Sequence, residues 1–192
     1  MLTLDLANQL KAKFGDLISE LAEFRGEVTV KLSDAEKIVE VCEFAKTKLG
    51  FNYLVDISSV DNYGEDPRWT MVYELRNLTN NAELRIKTDV SEEKSELPSV
   101  LDVWATANWH EREIYDMMGI RFRGHPDLRR ILMWEGYPYY PLRKDFPLAG
   151  KPTNVPEVAF SEISPMEGGP FVTLPSSGDA VSREPRVRNP EE

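Results

Sequence analysis

The chain is predicted to be α+β: a mixed or antiparallel sheet of about four strands with helices packed on one face, followed by a long extended C-terminal arm. Three observations predict this. Residues 51–60, 69–77 and 82–90 alternate apolar and polar side chains and are separated by the turn-rich stretches DNYGEDP and LTNN, the pattern of an antiparallel meander. A strand pattern and a helix pattern come before them. From Pro138 onward periodicity disappears, and ten of the thirteen prolines lie there. The domain is therefore drawn as 1–119 and the arm as 120–192.

Leucines at 2, 6, 10, 17 and 21 predict a helix over 2–24, interrupted or bent at Gly15. In GEVTVKL (26–32), Val28, Val30 and Leu32 alternate with Thr29 and Lys31, which predicts a strand. Ser33 precedes Glu36 at capping-box spacing, and Ile38, Val41, Cys42, Ala45 and Leu49 follow on one face. A helix is expected over 34–49, stopped by Gly50. Phe51, Tyr53, Val55 and Ile57 carry the first meander strand, and Trp69, Met71, Tyr73 and Leu75 the second. AELRIKTDV (82–90) is the third. Pro98 begins a short predicted helix containing Val100, Leu101, Val103 and Trp104.

The chain of 192 residues has 23 Lys and Arg against 33 Asp and Glu, a formal charge of −10 that disfavours nucleic acid and anionic lipid as general partners. The one cysteine, Cys42, rules out an intrachain disulfide and a Cys₄ zinc or iron–sulfur site, and it reads as a buried, inert thiol on an apolar helix face. The first residues, MLTLDLANQLKAKFGDL, have no basic start, long apolar block or small-residue cleavage site, so they do not read as a signal peptide. No run approaches the length of a membrane span. Phosphate-binding glycine loops and a G-x-S-x-G elbow are absent.

The densest chemistry lies in WHEREIYDMMG, which brings His110 together with Glu111, Arg112, Glu113 and Asp116. It is predicted to be a helix with Asn108 as N-cap, Glu111 reaching back to the Asn108 amide, and Gly119 as the stop. Ile114, Met117 and Met118 form its apolar stripe, with Tyr115 at the margin, and Arg112 is spaced to pair with Asp116 on the outer face. A zincin needs H-E-x-x-H, but Ile114 stands where the second histidine belongs. Acid–base use of His110, Glu111 and Glu113 stays open but nonspecific, as does a metal site completed by His125.

The next stretch, 119–150, is rich in charge and aromatics. Between Arg121 and Asp145 six basic residues (Arg121, Arg123, Arg129, Arg130, Arg143, Lys144) face three acids (Asp127, Glu135, Asp145), a local balance of +3. Phe122, Trp134, Tyr137, Tyr139, Tyr140 and Phe146 interleave with them. This is the composition of a protein interface core. The plainer reading is an arm folded on its own domain, with its arginines solvated or paired to local acids.

Residues 111–132, E-R-E-x-x-D-M-M-G-I-x-F-x-G-H-P-D-L-R-R-I-L, followed by P-L-R-K-D-F-P-L (141–148), resemble the signature of the 30-kDa (C-type) subunit family of respiratory complex I, the proton-pumping NADH:quinone oxidoreductase. Glu111, Arg112, Glu113, Asp116, Gly119, His125, Pro126, Arg129 and Arg130 fall where the family places them. Pro141, Arg143, Lys144 and Asp145 belong to the second motif. The resemblance covers most of 26–150 and only loosely 151–192. It implies a structural subunit of the hydrophilic arm, peripheral on the cytoplasmic side of the membrane and attached through the complex. It implies no catalytic, metal or cofactor-binding residue on this chain, with NADH, FMN, iron–sulfur clusters and quinone bound by other subunits. The implied partners are the 49-kDa (D-type) subunit and the B-type and I-type subunits. Related subunits occur in F420H2 dehydrogenases and membrane-bound hydrogenases. Under this reading Glu111 or Glu113 pairs with an arginine of the arm, and His125-Pro126 sets a turn. The contrasting reading is a stand-alone metal-dependent hydrolase using His110, Glu111, Glu113 and His125.

Overall fold

A computed structural model describes residues 2–134 and 136–147. The expectations for Glu135 and for 148–192 lie outside them. The chain runs α1 (Leu2–Phe14), β1 (Ile18–Phe24), β2 (Glu27–Leu32), α2 (Ile38–Thr47), β3 (Tyr53–Asp61), β4 (Trp69–Arg76), β5 (Glu83–Val90), β6 (Glu96–Pro98), α3 (Ala107–Met118) and β7 (Arg121–Arg123). The main sheet has five strands in the order β1-β2-β5-β4-β3, and β6 and β7 form a small second sheet. The α+β class and the meander β3-β4-β5 are as predicted, with one more strand in the main sheet than expected.

The sheet is mixed because of α2. It carries the chain from β2 across to the far edge at β3, and the meander then returns so that β5 lies parallel beside β2. The pairing stacks side chains in rows across the sheet. Val28, Leu84, Leu75 and Leu54 form one row, and Val30, Ile86, Tyr73 and Ile57 the next. All eight are buried. On α2, Ile38, Val41, Cys42 and Ala45 present a buried stripe at i, i+3, i+4, i+7, and Ala7 and Leu10 do the same on α1. Each buried Val, Leu or Ile side chain among these contributes about 1.5–3 kcal/mol. The opposite face carries ion pairs such as Lys31–Asp89 at 2.6 Å and Arg85–Glu27 at 2.9 Å. These partly exposed pairs add little stability.

Four local expectations need correction. The helix over 2–24 ends at Phe14, and 18–24 is strand β1. Gly15, at φ +53°, breaks the helix, and Arg25 and Gly26, both at positive φ, close a tight hairpin that pairs Phe24 with Glu27. Partnering by β2 overrides the leucine spacing. Second, the N-terminal cap before α2 is Asp34, whose carboxylate accepts the Glu36 N–H at 2.9 Å, while the Ser33 hydroxyl donates to the Leu17 carbonyl. Third, Pro98 ends a strand instead of starting a helix, with Leu97 opposite Phe122 in the parallel pairing of β6 and β7. Val100, Val103 and Trp104 are buried as their spacing implies, but only one turn forms, with the Val103 and Trp104 N–H groups donating to the Val100 carbonyl. Fourth, the described residues up to Asp145 belong to one compact unit. The described residues of 120–145, read from sequence as arm, are therefore part of the same unit as the sheet.

Gly119 ends α3 as expected, in the left-handed region at φ +79°. A Cβ there would lie 2.5 Å from Arg143 Nη2 and 2.7 Å from the Tyr140 ring. Gly124, at φ +85°, has nothing within 4 Å. Gly124→Ala is expected to cost about 1–2 kcal/mol of backbone strain. Gly119→Ala should cost a further 1–3 kcal/mol, roughly the usual overpacking penalty. Equal urea midpoints for the two variants would refute the close packing of 140–143 on Gly119.

Candidate functional site

Helix α3 starts at Ala107 and not at Asn108. The backbone of Thr106 precedes it without a side-chain cap, and Asn108 Oδ1 is buried with no hydrogen-bond partner among the described residues. The expected capping box is therefore absent. Glu111 turns inward instead. It is fully buried, and its carboxyl group meets Ser99 Oγ at 2.6 Å and the Val100 N–H at 2.8 Å. Burial pushes this carboxyl up to about 7, against the downward pull of those two partners.

Asp116 is the residue that binds an arm arginine, a role expected of Glu111 or Glu113. It is fully buried, and Oδ1 accepts from Arg130 Nη1 at 2.6 Å. Oδ2 accepts the backbone N–H groups of Ile131, Leu132 and Met133 at 3.0, 2.7 and 2.8 Å. Burial alone would raise this carboxyl, but the Met133, Arg130, Leu132 and Ile131 donors outweigh it and hold Asp116 below the ordinary range. Arg130 also donates to the carbonyls of Asp116, Tyr137 and Tyr139 at 2.9, 2.5 and 3.1 Å, and stacks over the Tyr137 and Tyr140 rings.

Arg112 does not pair with Asp116. Its guanidinium donates to the carbonyls of Arg129 and Arg130, both at 3.2 Å. Glu113 is exposed and makes no ion pair among the described residues. Arg129 pairs with Asp127 at 2.9 Å on the surface. His125 Nδ1 accepts the Asp127 N–H at 3.1 Å across Pro126, the turn expected at that pair, and its Nε2 lies 3.4 Å from the Asn108 carbonyl. His110 faces another way, with Nδ1 3.2 Å from Asp56 on β3. The two imidazoles are thus held by different elements. Among the described residues no three His, Cys, Asp or Glu side chains are grouped to hold a metal.

The second motif closes onto the sheet. Beyond Pro141, the Leu142 N–H donates to Met117 O at 3.1 Å and Arg143 Nε to Met118 O at 2.6 Å. Arg143 lies over the rings of Tyr140 and Trp69, and burial followed by the nearby Arg68 lowers its proton affinity. The Lys144 N–H donates to Asp61 Oδ2 at 2.8 Å, and Asp145 lies 3.3 Å from Arg68. Asp61 and Arg68 form a buried two-pronged pair, at 2.9 and 3.0 Å, where the 62–68 loop joins the end of β3 to the start of β4. Glu92 adds a contact of 2.5 Å to Arg68, which stacks 4.4 Å over Trp69. Burial would raise Asp61, yet Arg68 and the Lys144 amide bring it below the ordinary range.

Sequence reasoning missed Asp61, Arg68, Glu92 and Ser99. The available signal was an acid and an arginine flanking the loop between two predicted hairpin strands, where cross-strand neighbours meet.

Residues 32–152 match the model of the family described as the respiratory-chain NADH dehydrogenase 30 Kd subunit. The chain is 49% identical over 142 residues to the NADH-quinone oxidoreductase C-type subunit of Geotalea uraniireducens (strain Rf4), covering 74% of this chain and 86% of that protein. It is 52% identical over 140 residues to the second NADH-quinone oxidoreductase C-type subunit of Rhizobium etli (strain CIAT 652), covering 72% and 74%. The solved trypsin-resistant fragment (1-134) of Nqo5 superposes with a TM-score of 0.57 at 33% identity, over 67% of this chain and all of that one. A chain of an archaeal respiratory membrane complex, the membrane-bound sulfane sulfur reductase, shares the fold with a TM-score of 0.65 at 20% identity, covering 88% and 98%.

Asp116→Asn places an amide where either Arg130 or the three backbone donors require an acceptor. The expected cost is about 3–5 kcal/mol at pH 7. Because Asp116 is lowered in the folded state, its contribution is present above the ordinary carboxylate range and is lost as pH falls through the folded value. The gap between wild type and Asp116→Asn should therefore narrow below pH ~4. Glu113→Ala should change stability by less than about 0.5 kcal/mol. Urea unfolding at pH 7 and pH 3 measures both effects. A Glu113→Ala loss as large as that of Asp116→Asn would contradict this assignment.

Proposed function

Since the chain belongs to the 30-kDa subunit family of the respiratory-chain NADH dehydrogenase, and so is a component of a multi-subunit respiratory complex, we propose that it is a non-catalytic assembly subunit of the quinone-reducing module. It supports electron transfer from NADH to quinone by the whole complex and carries no reacting group itself. NADH, FMN, iron–sulfur clusters and quinone are bound by other subunits. Its partners are the 49-kDa (D-type), B-type and I-type subunits, and it sits on the cytoplasmic side of the membrane, held there through them. No helix among the described residues is long and apolar enough to cross a membrane.

One observation carries this reading. Arg112, Asp116, Gly119, Arg130, Arg143, Lys144 and Asp145 all serve to hold 129–145 against the domain. They fix an irregular backbone instead of presenting a reactive group. The segment so held exposes Leu132, Trp134 and Leu142. A rigid irregular segment with outward apolar side chains and arginine–aromatic stacking suits a protein interface, since ordering before binding lowers the entropic cost of association. The relatives at 49% and 52% identity, each bearing an NADH-quinone oxidoreductase name, favour this complex over a related dehydrogenase or hydrogenase.

Affinity purification of the tagged full chain from its native membranes tests the proposal. Recovery of the B-type, D-type and I-type subunits together with NADH:quinone activity is the expected result. Asp116→Ala should reduce that recovery severalfold and Glu113→Ala should not. A chain isolated alone, with metal bound or with hydrolytic activity of its own, would overturn the reading.

A further inference from the structure

We propose that Glu111 is a proton-operated latch. Protonated, it clasps α3 to the 99–101 turn inside the core; ionised, it loosens that clasp. The case starts from two carboxyl groups on one helix. Asp116 and Glu111 are both fully buried on α3, five residues apart. Asp116 has a guanidinium and three backbone N–H groups around it. Glu111 has one hydroxyl and one N–H, both neutral. Two neutral hydrogen bonds do not replace the hydration of a carboxylate in a dry core.

The groups facing Glu111 from each packed element supply no compensating charge. Cys42 on α2 and Tyr73 on β4 are fully buried, and burial drives both further toward their neutral forms. The Tyr73 hydroxyl has no hydrogen-bond partner among the described residues. The 99–101 turn offers the Ser99 hydroxyl and backbone only. On α3 itself, His110 turns to Asp56 and Arg112 to the carbonyls of 129 and 130. Lys46 on α2 is occupied by the Val103 carbonyl. Among the described residues no cation pairs with Glu111.

The protonated form removes the uncompensated charge from the core. The Ser99 hydroxyl donates to one carboxyl oxygen at 2.6 Å and the Val100 N–H donates to the other; once the carboxyl is protonated its O–H can donate to Ser99 Oγ instead, because the hydroxyl is free to rotate. Ser99 Oγ also accepts the Leu101 N–H at 3.2 Å. The folded protein therefore binds this proton more tightly than the unfolded chain, consistent with a carboxyl raised from 4.5 to about 7. The stabilisation is complete below pH 4.5 and falls away as pH rises to about 7. Since α3 also carries Asp116, proton concentration near neutrality would set how firmly the anchor of the 129–145 segment is seated.

The test uses the full chain, wild type and Glu111→Gln, with Glu113→Gln as the exposed control. Glutamine keeps the shape and cannot ionise. Between pH 5 and pH 8 the unfolding constant of wild type should rise on the order of 50-fold more than that of Glu111→Gln. Glu113→Gln should follow wild type. Parallel profiles for wild type and Glu111→Gln would overturn the latch. A carbon-detected titration of the glutamate carboxyls in the native chain decides the matter even if Glu111→Gln does not fold. One carboxyl with a midpoint near neutrality supports the latch, and all carboxyls ionised at pH 5 exclude it.

Discussion

A buried carboxylate on α3 organises an irregular stretch of the described chain. The described residues of 129–140 form no helix or strand, so apart from turn bonds such as the Tyr137 N–H to the Trp134 carbonyl at 3.1 Å their backbone polar groups need partners from elsewhere. Asp116 accepts three consecutive N–H groups from this stretch, and Arg130 returns to donate to carbonyls seven and nine residues further along. Each partner would be costly to bury alone. Together, with the backbone groups filling the remaining hydrogen-bonding positions, they satisfy the requirement for burying an ion pair. The helix end makes this possible: Gly119 leaves room for Tyr140 and Arg143 to lie against the last turn, where the Met117 and Met118 carbonyls await donors.

The Asp61–Arg68 pair does similar work from the sheet. It clasps the base of the loop between β3 and β4, and Asp61 receives the Lys144 N–H. Arg68 and Arg143 both lie over the Trp69 ring, and the Glu92 and Asp145 carboxylates beside Arg68 offset the like charges. The same segment is thus held at two points, one on a helix and one on a sheet. Such doubly anchored irregular backbone presents a surface of fixed shape.

The contrast between Asp116 and Glu111 shows how little local sequence says about a charge. Both are acids in one helix and both are fully buried. One is held as an anion by donors from a segment about fifteen residues away, while the other meets only a hydroxyl and one N–H from the turn that precedes the helix, too few to outweigh burial. Burial acts on both in the same direction, and only the number and charge of the donors decide the outcome.

Sequence by itself determined the elements whose side chains alternate with regular period: the meander β3-β4-β5, strand β2, the stripe of α2 and the glycine stop of α3. Periodicity is a local property, and each of these elements buries the face that its pattern marks. The signature of 111–132 and 141–148 was legible for the same reason, as residue types at fixed spacing. Tertiary structure decided the rest. Whether 18–24 would be helix or strand depended on pairing with β2 across a two-residue turn. Whether Pro98 would open a helix depended on a strand twenty-five residues later in the chain. Which acid of WHEREIYD would meet an arginine depended on where the chain returned after Gly124. Hydrogen-bond partners and desolvation are set by groups distant in sequence, so the pairing of charges became readable only in the folded chain.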